Sequence, residues 1–422
     1  MIHGLPPPSD RTAARPALAV HLLSLVVAGA LLLYLGRTFW FHYDEWDIVG
    51  NHTLGLFEPH NEHWSTLPYL VYGALYPVFG LRQYLPYLSV VVVLHLGVAH
   101  LAWRLLQREG VGAWLATGIS AAFVVLGAGA ENLVWAWQMG FVGAVFFGLL
   151  ALVLAATGQA TLARDAGASL ACLAAVMCSG IGLVMVFVVA VAIVLRRGWQ
   201  PALGVVLPAA LAFAAWYLTA GRHTGARTYS QPTVGGSLTF LWVGMSATAE
   251  MASGLKFLGP VLVVGAAAWA ALRMAGSRAG TAVSLACFGG AVALFCLISL
   301  GRLQYGADSA RQGRYVYVAA TLLLPVGGLA LQSLSRVKRV GVVAAALLVL
   351  WAGVHGGRVL LLAEEQHRVV SQNTRHLVLA AAAQIDPGSA FDPNALPDPV
   401  AAPTLTLARV ARFKREGALP DR

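Results

Sequence analysis

Hydrophobic and polar positions along the chain fall into long apolar runs separated by short polar breaks. Runs of bilayer-spanning length occupy about 17–36, 84–107, 112–129, 132–157, 201–220, 257–274, 280–300, 315–334 and 340–361. A tenth apolar stretch, 167–195, is too long for one span and too short for two. It is interrupted by Cys178-Ser179-Gly180-Ile181-Gly182, which predicts two short helices meeting at a glycine break. The pattern predicts an all-α, polytopic membrane bundle of about eleven segments, two of them short, in which two further apolar stretches, Thr66–Gly80 and Ser237–Gly254, lie as interfacial helices. Residues 1–16 then form an N-terminal tail, 17–361 the membrane domain and 362–422 a small C-terminal tail. That tail opens as a helix over 363–385 and turns proline- and aspartate-rich beyond Asp386-Pro387-Gly388.

Composition agrees: 58% of residues are hydrophobic, 11% are charged, and the mean hydropathy is +0.72. A soluble fold has no interior for so much apolar sequence. The formal charge of +10 sits in short clusters between the runs, which makes it topological information and argues against nucleic acid as a partner. With the N-terminus in the cytoplasm, Arg104/Arg108, Arg164, Arg196/Arg197, Arg273/Arg278 and Arg336/Lys338/Arg339 all fall inside. This requires 167–195 to return to the side it left. The run 17–36 extends past any signal-peptidase site and reads as a retained span. The four cysteines lie in apolar segments with no metal-type spacing.

Against this background one polar stretch stands out. Between 42 and 64 lie Asp44, Glu45, Asp47, Glu58, Glu62, His42, His52, His60, His63, Trp46 and Trp64, all on the segment 37–83 that the charge tally places outside. A carboxylate at a membrane–water boundary can serve as a general base, so Asp44, Glu45 and Asp47 are the catalytic candidates, and Asp44 and Asp47 share a face if the loop is helical. The competing account is that these acids only keep an outer loop hydrated. Trp46, His60, Glu62, His63 and Trp64 are candidate substrate contacts. His60-x-x-His63 also has a spacing compatible with a divalent metal, although no motif requires a cofactor. Glu131, Trp135 and Gln138 fall at helical spacing on one face and add polar and aromatic groups; an interfacial tryptophan belt explains them equally. Arg222, His223 and Arg227 on one outer loop, and Arg302, Arg311 and Arg314 beside Tyr315 on another, oppose the inward bias of positive charge. They point to an anionic group, most simply a phosphate, with lipid headgroup contact as the alternative.

The arrangement resembles the GT-C superfamily of membrane glycosyltransferases, especially the protein-mannosyltransferase and lipid A aminoarabinose transferase branch. Phe41-His42-Tyr43-Asp44-Glu45 looks like its acidic motif, and His63-Trp64-Ser65-Thr66-Leu67 stands where a His-Pro-Pro-Leu-like segment would be, without the two prolines. Tyr69 to Phe79-Gly80 resembles the helix that follows, 167–195 the paired short helices, and Arg311-Gln312-Gly313-Arg314-Tyr315 a late Arg-Tyr element. The resemblance implies a polyprenyl-phosphate-linked sugar as donor, a glycan, lipid or protein hydroxyl as acceptor, and inverting transfer on the outer face of the cytoplasmic membrane. Asp44 would be the base, and Arg302, Arg311 and Arg314 would hold the lipid phosphate. A transporter, or a polysaccharide-export or scaffold protein, is the alternative; the first would need polar residues through the midplane, which these spans lack.

Overall fold

The computed structural model describes residues 8–51, 55–223, 233–275, 279–385 and 390–420. His52, Arg227, Arg278 and the 386–388 turn lie outside the described residues, as does the side chain of His223. The chain is helical nearly throughout, and eight of the described helices are long and apolar enough to cross a membrane. In order the elements are α1 (Pro8–Leu35), α2 (Glu45–Ile48), a hairpin of β1 (Pro59–His60) and β2 (His63–Trp64), α3 (Thr66–Phe79), α4 (Leu85–Arg108), α5 (Ala113–Phe123), α6 (Glu131–Val134) and α7 (Met139–Ala156). They are followed by α8 (Leu162–Cys178), α9 (Ile181–Arg197), α10 (Trp199–Thr219), α11 (Val234–Ser253), α12 (Leu258–Ala275), α13 (Ala282–Arg302), α14 (Gly313–Ser335), α15 (Lys338–Gln384) and α16 (Leu407–Arg415).

The apolar stretch 167–195 is a hairpin. α8 ends at Cys178, Ser179 is fully extended, and α9 starts at Ile181. Its two far ends are joined by Arg197, whose guanidinium donates to both carboxylate oxygens of Asp165 at 2.8 and 2.6 Å. Both ends therefore lie on one side, and the tip at Ser179–Gly180 lies on the other. The tip meets the first loop, where the Gly180 N–H donates to His63 Nδ1 at 3.3 Å. Around the hairpin, α7 is the most enclosed long apolar helix and α12 the least.

Two expected spans start or stop elsewhere. The run 112–129 is helical only over α5, and its Gly-Ala-Gly end becomes a tight turn under α15. A Cβ on Gly127 would sit 2.3 Å from the Gly356 carbonyl, so the missing side chain is what lets the two backbones touch. In the run 132–157, Trp135 is extended (φ −121°, ψ 115°) and separates α6 from a short 3₁₀ turn leading into α7. Glu131, Trp135 and Gln138 therefore do not share a helix face, because the helix that would align them is broken between them.

α15 has 47 residues. At 1.5 Å per residue it is about 70 Å long, more than twice the hydrocarbon thickness of a bilayer. Its apolar first half suits the membrane. Its second half, from Glu364 onward, must project beyond it as a rigid rod, so the boundary expected at 361/362 falls inside a continuous helix. The chain after α15 then folds back, and α16 packs the fully buried Phe413 beside Gly50 of the first loop and Tyr76 of α3.

Candidate functional site

The acidic turn begins where α1 has ended and Trp40 and Phe41 are packed away. Trp40 donates its indole N–H to the Leu81 carbonyl at 2.8 Å, and Phe41 lies edge-on against Tyr84 and Tyr87. Tyr43 then adopts a left-handed backbone (φ +50°), and α2 starts with Glu45. This reversal sends neighbouring acids in opposite directions. Glu45 is fully buried, and its carboxylate accepts from the hydroxyls of Tyr72 (2.6 Å) and Tyr84 (3.0 Å) and from the His42 N–H (3.0 Å). Burial, and then the Glu45 charge, push both phenols well above their ordinary range, so they stay protonated donors. Glu45 is thus a structural anchor under the turn, turned away from where a substrate could reach it.

Asp44 faces the other way. Its carboxylate lies 3.6 Å from His60 Nε2, and together with Asp47 these groups bring one oxygen or nitrogen each within 4.8 Å of one another. Partial burial alone would raise the Asp44 pKa. The close approach of His60, followed by the charges of His60, Arg314 and His42, outweighs it and holds the carboxyl below its usual range. In chemical terms Asp44 is an ionised, partly shielded carboxylate.

The hairpin β1–β2 explains why the two histidines diverge. His60 and His63 are directly paired across it, with Asn61 at φ +53° in the turn. His60 reaches Asp44, whereas His63 accepts from Gly180 on the α8–α9 tip. They do not converge on one point. The donor set that geometry brings together is Asp44, Asp47 and His60, two carboxylates and an imidazole, which suits a divalent cation better than His60 with His63. His63 is pushed down to about 4 by burial, opposed by Glu62 and reinforced by Arg302, so it is neutral and its Nδ1 can accept.

Arg302, at the end of α13, contacts Glu62 at 2.5 Å. Arg314, in the first turn of α14, pairs with Glu131 at 3.1 Å, and the same carboxylate accepts the Arg314 backbone N–H at 3.1 Å. Both guanidinium groups face a cavity of about 450 Å³ that Asp44 also lines. Its polar wall holds His60, Glu62, His63 and Gln138, and its apolar wall Phe141, Phe213, Tyr217, Leu297 and Ile298. The Gln138 side-chain oxygen is buried without a hydrogen-bond partner among the described residues. Tyr315 closes the cavity beside Arg314.

Several expected contacts lie elsewhere. Arg311 is half-exposed, pairs with Glu250 and Asp308 at 3.4 Å each, and does not line the cavity. Trp46 is fully buried against Trp40 and Phe41, and Trp64 stacks on Trp216 with centroids 5.5 Å apart. Trp135 packs on His42 and Tyr43. Glu131 acts on Arg314 and reaches the cavity only through it. Residues that the sequence did not single out line it instead, notably Trp137, whose ring meets His60 at 4.8 Å, and Phe213 and Tyr217 of α10. The only signal for these is an aromatic residue near the end of an apolar run, which any membrane helix can carry.

No family model matches the chain, and no curated protein matches it either. Among solved structures it is similar to ArnT from Cupriavidus metallidurans, crystallised in the apo state, with a TM-score of 0.55. The match has 14% sequence identity and covers 95% of this chain and 89% of that one. The chain is a polytopic helical membrane protein that shares the fold of ArnT over nearly its whole length.

Proposed function

We propose that the protein is a GT-C-type glycosyltransferase that moves a sugar from a polyprenyl-phosphate donor to an acceptor hydroxyl, on the outer side of the cytoplasmic membrane. The fold shared with ArnT agrees with the family that the acidic motif resembles. The observation that carries the reading is that one cavity joins an ionised Asp44, the guanidinium groups of Arg302 and Arg314, and an apolar wall. That wall runs out to the bundle's surface, where Tyr217 and Leu300 are more than half exposed. A lipid phosphate can enter sideways there, with its isoprenoid chain remaining in the bilayer.

In this mechanism Asp44 takes the proton of the acceptor hydroxyl as its oxygen attacks the anomeric carbon. The bond from that carbon to the phosphate oxygen breaks, and the configuration inverts. The departing polyprenyl phosphate gains negative charge, which Arg302 and Arg314 stabilise most in the transition state. To receive it they exchange contacts with Glu62 and Glu131, which hold them in place beforehand. Where a divalent cation takes part, Asp44, Asp47 and His60 would hold it, and it would supply charge neutralisation beside the phosphate.

The test is transfer by the purified protein, using a panel of polyprenyl-phosphate hexoses and pentoses with membrane-extract acceptors. Release of polyprenyl phosphate coupled to glycosylation of an acceptor is the expected result. Uptake of a solute into vesicles, with no donor consumed in any reaction, would contradict it and favour a transporter.

A further inference from the structure

The C-terminal segment meets the acidic turn at two separate places and the chain after α3 at a third. At the first, the Ala401 carbonyl accepts the Tyr43 N–H at 2.6 Å. At the second, Arg409 and Arg412 donate to the carbonyls of Val49 (3.2 Å) and Gly50 (2.5 Å), just after α2. At the third, the Leu81 N–H donates to the Ala418 carbonyl at 2.8 Å. The first two contacts bracket Asp44 and Asp47 from both sides.

Tyr43 is where the bracket matters most. It is not glycine, yet its φ is +50°, a backbone that its half-exposed ring, resting on His42 and Trp135, shares with contacts from outside the turn. The turn's own hydrogen bonds leave the Tyr43 N–H over, and Ala401 is the partner outside the turn that takes it, at 2.6 Å. The reversal at Tyr43 sends Asp44 to the cavity and Glu45 to the interior, so whatever fixes Tyr43 fixes the direction of Asp44. Ala401 is held in turn through its own N–H by Asp398, which is nearly fully buried. One Asp398 oxygen accepts the N–H groups of Val400 (3.1 Å) and Ala401 (2.9 Å); the other accepts the Thr374 hydroxyl on α15 at 2.7 Å. Through Thr374 the turn is tied to the rigid rod of α15.

We infer that the C-terminal segment braces the acidic turn and that Asp398 is its positioning residue, acting on Asp44 through Ala401 and Tyr43. This rests on the reading of Asp44 as the base. Asp398 touches no cavity group and does not transfer a proton; it sets where the carboxylate points. The donor-phosphate half of the site is built by α13 and α14, so losing the brace impairs turnover rather than donor binding.

The experiment compares Asp398→Ala with Asp398→Asn in the full-length protein, by amide hydrogen exchange over residues 42–50 and by transfer kinetics. The Asn side chain keeps an oxygen for Val400 and Ala401; the Ala side chain does not. Asp398→Ala should speed exchange over 42–50 about tenfold or more and lower kcat by about 10- to 100-fold, with the donor KM within about twofold. Asp398→Asn should restore most of both. Unchanged exchange over 42–50 in Asp398→Ala overturns the brace, and faster exchange with wild-type kcat overturns its role in positioning. If Asp398→Ala does not fold, the double variant Arg409→Ala, Arg412→Ala releases the second contact and carries the same two readouts. If the wild-type protein transfers no sugar from any donor, the functional reading falls, while the exchange data still decide whether the brace exists.

Discussion

At one end of the bundle Arg197 grips Asp165 through two hydrogen bonds; at the other, Arg302 and Arg314 are held by Glu62 and Glu131. The chemical pairs are the same, but their surroundings differ. Arg197 and Asp165 come from the two helices they tie together, and neither lines the cavity of the opposite end. The pair closes a hairpin and has nothing to exchange with. Arg302 and Arg314 each meet a carboxylate from a different segment, and both line a cavity with an ionised Asp44 and an apolar wall. In the proposed mechanism an ion pair of the second kind keeps a guanidinium oriented until the lipid phosphate arrives. On this reading, what separates a structural arginine from one proposed to bind phosphate is the element its partner comes from and the space beside it, more than its charge.

Breaking the working end should have the largest effect. Asp44→Asn preserves shape and removes the base, and it is expected to lower kcat about 10²–10⁴-fold with intact folding. Asp47→Asn should cost clearly less, which purified variants in one transfer assay will show. Arg302→Ala and Arg314→Ala come next, each lowering kcat/KM about 10- to 100-fold, because the interaction lost is with a charge that grows as the glycosyl bond breaks. Arg311→Ala, outside the cavity, serves as their control and should stay near wild type. Gly180→Leu should reduce turnover about tenfold, since a Cβ there would lie 2.9 Å from His63 Nδ1 and force that ring off the cavity wall.

Smaller effects are expected in pH dependence and stability. Because Asp44 is held below the ordinary carboxylate range, the acid limb of kcat/KM should lie below that range, and His60→Gln should move it upward. His63 is shifted in the same direction, but by burial of its charged form. Its pKa falls from 6.5 to about 4 on folding, so between those values the unfolded chain takes up a proton that the folded chain refuses. Its share of stability is full above pH 6.5 and is lost as the pH falls toward 4; His63→Gln should flatten that part of a thermal-stability profile. Arg197→Ala, at the structural end, should cost about 1 kcal/mol or less and leave kcat unchanged, because the pair is partly exposed.

The helical bundle, the hairpin at Ser179–Gly180 and the meeting of Asp44 with Asp47 were legible in the chain, because hydropathy, run length and a four-residue turn express them locally. Eight of the residues singled out in the chain, Asp44, His60, Glu62, His63, Gln138, Arg302, Arg314 and Tyr315, line one cavity. Directions within it were not legible. Asp44 and Glu45 are adjacent acids of similar type, and only the left-handed Tyr43 and the two phenols beneath tell them apart. Glu131, Trp135 and Gln138 looked aligned on one helix face, and the extended Trp135 separates them. The role of residues 398–418 was hidden because it rests on backbone carbonyls of Ala401 and Ala418, which no side-chain pattern marks.

The central claim is that Asp44, Arg302 and Arg314 face a single lipid-phosphate site. The most direct measurement is an electron cryomicroscopy structure of the protein with polyprenyl phosphate, the product-side lipid. The phosphate should lie in the cavity within ion-pair distance of both Arg302 and Arg314, with its chain leaving between α10 and α13 and Asp44 facing the same space. A phosphate bound at Arg311, or at the Arg164 and Arg197 end of the hairpin, with the cavity beside Asp44 empty, would contradict the account.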